Sequence, residues 1–345
     1  MPYWEQLVGT QTGLACAFLL VAGLVVWTGI RLSVYGAALG ARTGLGGGPV
    51  GLIFLAGVTS LPELVVSVTS VLETPVPAQG ADLATGNMLG SNLFNLLILA
   101  LVALLFPRSF SPEKMKESHG ASIVSGLVML AVFSLAFLLA RIAPLRLPGL
   151  ACGAPTLLLP IAYLLLLRRQ RKTQSPATDP LLPEEDRLSH RPAARFYATL
   201  AALCAGIVGG GILLSLLGGR MALPPERGGF GLEASLIGTL FLAVSTSLPE
   251  LTISLSGVRM GFLDMAIGNV LGSNMFNLLI IFAADLALRG NVLLALASPK
   301  NGLSVALILI ETLLAAALLR ARRKLAVPIA LGMIALYVVT LRFIA

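Results

Sequence analysis

Charge is what this sequence has least of. Asp, Glu, Lys and Arg make up 12% of its 345 residues, against roughly 25% in an ordinary soluble domain, and so sparse a polar surface excludes a water-soluble globular chain. Histidine is nearly missing. The two present, His119 and His190, read as loop residues, which leaves no His-Glu-x-x-His for an intramembrane metalloprotease and no membrane Ser/His dyad. An enzyme is therefore not expected. The three cysteines, Cys16, Cys152 and Cys204, fall in apolar stretches without paired spacing, so neither a disulfide framework nor a zinc site is expected, and no cofactor either. Residues 1–11 carry one charge, Glu5. They lack the basic stretch of a cleavable signal, and the first apolar run counts as a helix of the mature chain.

What is abundant is apolar sequence: 57% of residues are hydrophobic and the mean hydropathy is +0.91. Runs near the roughly 20 residues that cross a bilayer as a helix occur at about 12–35, 48–72, 83–106, 120–140, 147–167, 196–217, 232–257, 263–288, 301–319 and 325–343. The expected fold is an all-α polytopic membrane protein with ten transmembrane helices. The net charge of +8 then reports topology rather than nucleic-acid binding. Loops of one parity hold 17 of the 24 Lys and Arg and the others hold seven; by the positive-inside rule both termini face outward. Residues 168–195, basic and then Pro-rich and acidic, form a cytoplasmic linker too short and too polar to build a core. It divides a first repeat, 1–167, from a second, 196–345.

Two copies of one stretch carry the chemistry. Thr59-Ser60-Leu61-Pro62-Glu63 recurs at Thr246 to Glu250, and Gly86-Asn87-Met88-Leu89-Gly90-Ser91-Asn92-Leu93-Phe94-Asn95 recurs at Gly268 to Asn277 except at Met88/Val270 and Leu93/Met275. The offset is 187 for the first element and 182 for the second. A charged side chain at a helix centre in lipid costs roughly 2.5–3.5 kcal/mol, and a proline inside a helix costs about 3 kcal/mol; each copy places both together. Pro62 and Pro249 free the carbonyls of Val58 and Ser245. Thr59, Ser60 and Glu63 share one helix face, and Asn87, Ser91 and Asn95 form an i, i+4, i+8 stripe. Gly86 and Gly90 beside that stripe admit a neighbouring backbone. Only oxygen donors and small residues are offered, the environment that hard cations such as Ca²⁺ require. Packing alone explains any one such feature; two near-identical copies, each with a carboxylate, are better explained by binding.

Copy two follows an odd number of spans and enters the membrane upside down. Inverted five-helix repeats with broken helices are the pattern of alternating-access transporters, and Glu63 and Glu250 would then form one central site. Asp82 and Asp264, just before each Gly-Asn, read as helix N-caps. Glu311 and Asp285 lie within apolar runs but lack counterparts in the other half; for Glu311 a local hydrogen bond or a solvated crevice is expected rather than the primary site.

Thr-Ser-Leu-Pro-Glu followed by Gly-Asn-x-x-Gly-Ser-Asn-x-x-Asn, twice in a ten-span chain, resembles the sodium/calcium exchangers of the cation/calcium antiporter superfamily. The resemblance implies exchange of Ca²⁺ for Na⁺, with Glu63 and Glu250 as the shared carboxylates. It also implies a cage completed by Ser60 and Ser247, Thr59 and Thr246, the carbonyls of Ala56 and Ala243, Ser91 and Ser273, and Asn95 and Asn277. Some relatives carry Asp at one of the last two positions; this chain has Asn at both, hence two acids rather than three. The linker has no room for the calcium-sensing β-domains of animal exchangers. Operation as a single chain in a prokaryotic cytoplasmic membrane is implied. A Ca²⁺/H⁺ antiporter of the same superfamily is the nearest alternative and a cation channel a more distant one.

Overall fold

A computed structural model describes residues 10–109, 117–146, 152–173, 183–231 and 244–344. The described residues are helical throughout, with no strand beyond an isolated bridge between Arg146 and Gly153. In chain order the main helices are α1 (Gln11–Thr43), α2 (Leu61–Glu73), α3 (Pro77–Leu105), α4 (Glu117–Ile142), α5 (Leu158–Thr173), α6 (Pro183–Ser189), α7 (Ala193–Ala222), α8 (Leu248–Arg259), α9 (Leu263–Ala287), α10 (Asn301–Arg320) and α11 (Arg323–Ile344). Eight helices are long and apolar enough to cross a membrane, the stretch Gly47–Glu73 counting as one. The chain is thus a multi-pass integral membrane protein. Of the ten expected spans, the fifth and seventh fall short: their starts, 147–151 and 232–243, lie outside the described residues.

Burial separates an inner layer from an outer one. The most apolar window of α3 is 78% buried and that of α9 67%, whereas α1 is 22% buried. α3 and α9, which carry the two Gly-Asn motifs, pack against each other at the centre, and α10, α11 and α4 enclose them. α1 pairs with α7 on the other side. The exposed side chains of α1, among them Leu19, Leu20 and Trp27, are what a lipid-facing helix requires.

The glycine run at 44–48 is mostly structured. Gly44 caps α1 with φ 69°, a left-handed conformation that glycine adopts without steric cost, and the chain is helical again from Gly47. Residues Val50–Leu55 form a π-helical turn, a departure from α-geometry that recurs at functional sites. This turn lies backbone to backbone on α9. A Cβ at Gly268 would sit 2.6 Å from the Gly48 carbonyl oxygen, and one at Gly272 would overlap the Leu52 carbonyl. The Gly-xxx-Gly of the second copy therefore does admit a neighbouring backbone. Around Gly86 and Gly90 no described residue lies within 4 Å of such a Cβ.

Two readings of polar residues need correction, and the linker is more structured than its composition suggested. The linker contributes structure: α6 docks on the end of α1 by burying Leu188 in a cluster with Tyr35 and Phe196. Arg31 pairs with Glu184 at 2.9 Å, and Arg42 donates to the carbonyls of Ser189 and Arg191. A segment too poor to build a core can still borrow one. Asp82 is not an N-cap, because α3 starts at Pro77; its Oδ1 accepts from Ser298 N at 2.8 Å and Asn301 Nδ2 at 2.9 Å. His119 is not a loop residue but a buried member of α4. Its Nε2 lies 2.7 Å from Asp264 Oδ1, so Asp264, in the first turn of α9, is engaged by a side chain from another helix. Asp285 is structural: it accepts from the backbone N–H groups of Gly153 and Leu293 and from the Thr156 hydroxyl, tying the end of α9 to the start of α5.

Replacing Gly272 by valine should cost about 1–3 kcal/mol, the usual penalty of overpacking, because its side chain meets fixed backbone. Thermal unfolding in detergent checks this, with Gly219→Ala on the exposed face of α7, where nothing lies within 4 Å, expected to be near neutral.

Candidate cation site

Each Thr-Ser-Leu-Pro-Glu is a break between two helices rather than a kink inside one. The first helical segment ends at Thr59; Ser60 has φ −90° and ψ 4°, and α2 begins at Leu61. Ser247 repeats this with φ −100° and ψ 17° ahead of α8. Pro62 and Pro249 thus fall in a first turn, where a missing N–H leaves no hydrogen bond unmade, and the expected cost of a mid-helix proline does not arise. The same break puts Glu63 and Glu250 at helix N-termini, where the unpaired backbone N–H groups favour negative charge. Both prolines rest on α7. A Cβ at Gly211 would lie 2.5 Å from Pro62 Cγ and 3.4 Å from Pro249 Cγ, so only glycine lets α7 approach both breaks.

The two breaks face each other. Ser60 Oγ donates to Glu250 Oε1 at 3.2 Å and Ser247 Oγ donates to Glu63 Oε1 at 3.5 Å, so each carboxylate is held by the serine of the opposite copy. Both glutamates are 1% exposed. Their Oε2 atoms are buried without a hydrogen-bond partner among the described residues. Burial and mutual repulsion both penalise two negative charges here, and a cation between them relieves both.

The remaining expected residues surround this pair with oxygen. Thr59 Oγ1 lies 3.4 Å from the Ala56 carbonyl and 3.4 Å from Ser273 Oγ, and the Thr59 and Ser60 hydroxyls both approach the Glu250 carboxylate. Asn277 is buried and donates from Nδ2 to Asn92 Oδ1 at 3.1 Å, leaving its own Oδ1 unpartnered among the described residues. Ser91 and Asn95 are buried on α3, and both side-chain polar atoms of Asn95 lack a partner among the described residues. Thr246 precedes the second break. Ala243 lies outside the described residues. Among the described residues no three His, Cys, Asp or Glu side chains come together, so a cation here would meet two carboxylates and neutral oxygens, as hard cations prefer.

Residues absent from the expected set support it. Asn87 Nδ2 donates to Ser67 Oγ at 3.0 Å, and Asn269 Nδ2 donates to Ser254 Oγ at 3.2 Å; these are one bond made twice, since the offsets of 187 and 182 carry one pair onto the other. Asn92 and Asn274 join the halves, Asn274 Nδ2 reaching the Asn92 carbonyl at 3.3 Å. Their presence in both copies of the motif was the available signal. Glu311 stands apart: it is 1% exposed on α10, and neither oxygen has a partner among the described residues, so the expected local hydrogen bond is not seen there.

A profile of the sodium/calcium exchanger protein family matches residues 14–168 and 196–345. The chain belongs to this family. It is 31% identical over 295 residues to CaxA of Alkalimonas amylolytica, named as an antiporter, covering 83% of this chain and 85% of that protein. Inner membrane protein YrbG of Escherichia coli (strain K12) is 30% identical over 275 residues, with 78% of each chain covered. A solved structure of the sodium-calcium exchanger NCX_Mj, soaked with 2.5 mM Na⁺ and 0.1 mM Sr²⁺, superposes with a TM-score of 0.69 over 96% of this chain and 99% of that one at 22% identity; it shares the fold. This membrane protein is accordingly a cation/calcium antiporter by family.

Glu63→Gln and Glu250→Gln each remove one of the two charges while keeping the shape. Each should lower Ca²⁺ flux in proteoliposomes by at least about 100-fold, in line with roughly 3–5 kcal/mol for unpairing a buried charge, with normal membrane insertion. Glu311→Gln should leave flux within about twofold, since a side chain with no partner to lose is replaced by a neutral one of the same shape.

Proposed function

We propose that this antiporter exchanges Ca²⁺ for Na⁺ at a single central site built on Glu63 and Glu250, by alternating access of two inverted five-helix repeats. The carrying observation is the reciprocal grip of Ser60 on Glu250 and Ser247 on Glu63, with both outer carboxylate oxygens unpartnered among the described residues. Ser60, Ser247, Thr59, Thr246, Ser91, Ser273, Asn95, Asn277 and the carbonyls of Ala56 and Ala243 complete the cage. Two carboxylates balance one Ca²⁺ or two Na⁺, and neutral oxygens accommodate further Na⁺; the same atoms cannot hold both species at once. Competition for the site is the coupling.

Several contacts support ten spans in two repeats, 1–167 and 196–345, around the linker 168–195. Arg31 and Arg42 meet α6 of the linker at one end of the bundle. The start of α4 meets the start of α9 through His119 and Asp264, and Gly120 lies near Arg320 at the end of α10. Asp82 meets Ser298 and Asn301. Each contact joins loops of equal parity, as strict alternation across the membrane requires. The excess of Lys and Arg at the ends that include the linker makes that face cytoplasmic and both termini external, in a prokaryotic cytoplasmic membrane. Both carboxylates and the serines that hold them come from one chain, and a single chain is the working unit of this reading. Sodium as the counter-ion is supported by the sodium/calcium exchanger MaX1 of Methanosarcina acetivorans, 47% identical over 51 residues, 15% of each chain.

Uptake of ⁴⁵Ca²⁺ into proteoliposomes tests the ion assignment. An outwardly directed Na⁺ gradient should drive uptake that saturates with Ca²⁺, and a pH gradient alone should drive none. Uptake driven by the pH gradient alone would make the chain a Ca²⁺/H⁺ antiporter, and non-saturating flux without a counter-ion would make it a channel.

A further inference from the structure

Several contacts between and within the two copies obey the repeat, whereas those made by Asn92 and Asn274 do not. Exchanging the halves carries Ser60–Glu250 onto Ser247–Glu63, and both bonds are present. It carries Asn87–Ser67 onto Asn269–Ser254, and both are present. It also carries the bond from Asn277 Nδ2 to Asn92 Oδ1 onto one from Asn95 Nδ2 to Asn274 Oδ1. Only the first of these is made, at 3.1 Å. Asn95 Nδ2 and Asn274 Oδ1, the two atoms the second would use, are both buried without a hydrogen-bond partner among the described residues.

We propose that Asn92 and Asn274 are positioning residues that act in turn: each, in one of the two access states, fixes the amide of the opposite half's ligand asparagine. An amide that donates through its N–H₂ has its orientation set and its oxygen presented, the way an outer partner aligns a ligand. In the state seen here Asn92 does this for Asn277, whose Oδ1 remains unpartnered, while Asn95 is held by no described residue. Inverted repeats exchange roles when access switches sides. In the opposite state Asn274 would then hold Asn95 and release Asn277. The two glutamates would serve both states, and the oriented amide oxygen would come from α9 in one and from α3 in the other. Unsatisfied buried polar atoms are costly; here the cost attaches to whichever half is waiting, so neither state is left far below the other. This inference rests on the alternating-access reading above and does not depend on which counter-ion is used.

The test compares Asn92→Ala with Asn274→Ala in right-side-out and inside-out vesicles, reading the apparent Ca²⁺ affinity presented to each face. Each substitution removes one orienting hydrogen bond, so each should weaken affinity by about threefold or more at one face only, and at opposite faces for the two variants. Equal weakening at both faces, weakening at the same face in both variants, or no change overturns the proposal. A second measurement needs no transport. In protein whose Cys16, Cys152 and Cys204 are replaced by alanine, Asn92→Cys/Asn277→Cys and Asn95→Cys/Asn274→Cys should each be bridged by mercuric ion in at least one of three conditions, with Na⁺, with Ca²⁺ or with neither. A 95–274 pair that stays open with Na⁺, with Ca²⁺ and with neither overturns it. Loss of sodium coupling in the parent would sink the ion assignment while both bridging results still read the exchange of amides.

Discussion

Glu63 and Glu250 are 1% exposed and close enough to repel each other, inside a fold whose surroundings are apolar. Each carboxylate has one oxygen held by a serine of the opposite copy and the other held by no described residue. A pair of this kind is tolerable in a membrane protein where mobile cations supply the missing charge. That requirement explains the economy of the site. In the proposed site the two acids would provide the charge a divalent ion needs, and serine, threonine, asparagine and carbonyl oxygens would add ligands without adding repulsion.

The backbone is arranged to bring those two acids together. A proline one residue ahead of each glutamate is harmless only in a first helical turn, so both helices break at the preceding serine, and the breaks turn the carboxylates toward positive helix ends. Closing the gap between the breaks then needs backbone contact rather than side-chain contact. Gly268 and Gly272 let α9 lie on the π-helical turn at Val50–Leu55, and Gly211 lets α7 cover both prolines. Small residues at these crossings let van der Waals packing hold helices in lipid, where no hydrophobic force does so.

Much of this was legible in the sequence because it was written twice. The repeat offsets located both breaks and both Gly-Asn stripes, and their oxygen-only chemistry pointed to a hard cation. Period and hydropathy could not say which residues meet across the two copies. Asn92, outside the stripe of Asn87, Ser91 and Asn95, had no expected role until its partner proved to be Asn277, and His119 looked like a loop residue because its charged neighbours hid the first turn of α4. The docking of α6 depends on a single leucine, Leu188, and on arginines far away in sequence, Arg31 and Arg42. Such contacts leave no local pattern. Asp82 and Asp264 sat at matching places and invited one local explanation, N-capping, although both reach another helix.

Competitive exchange requires one shared site rather than two independent ones. Equilibrium ⁴⁵Ca²⁺ binding to the purified protein, titrated at several Na⁺ concentrations, measures this directly. It predicts one Ca²⁺ per chain, displaced competitively by Na⁺, with the apparent affinity falling more steeply than the first power of the Na⁺ concentration. Two Ca²⁺ per chain, or a bound Ca²⁺ that Na⁺ cannot displace, would contradict it.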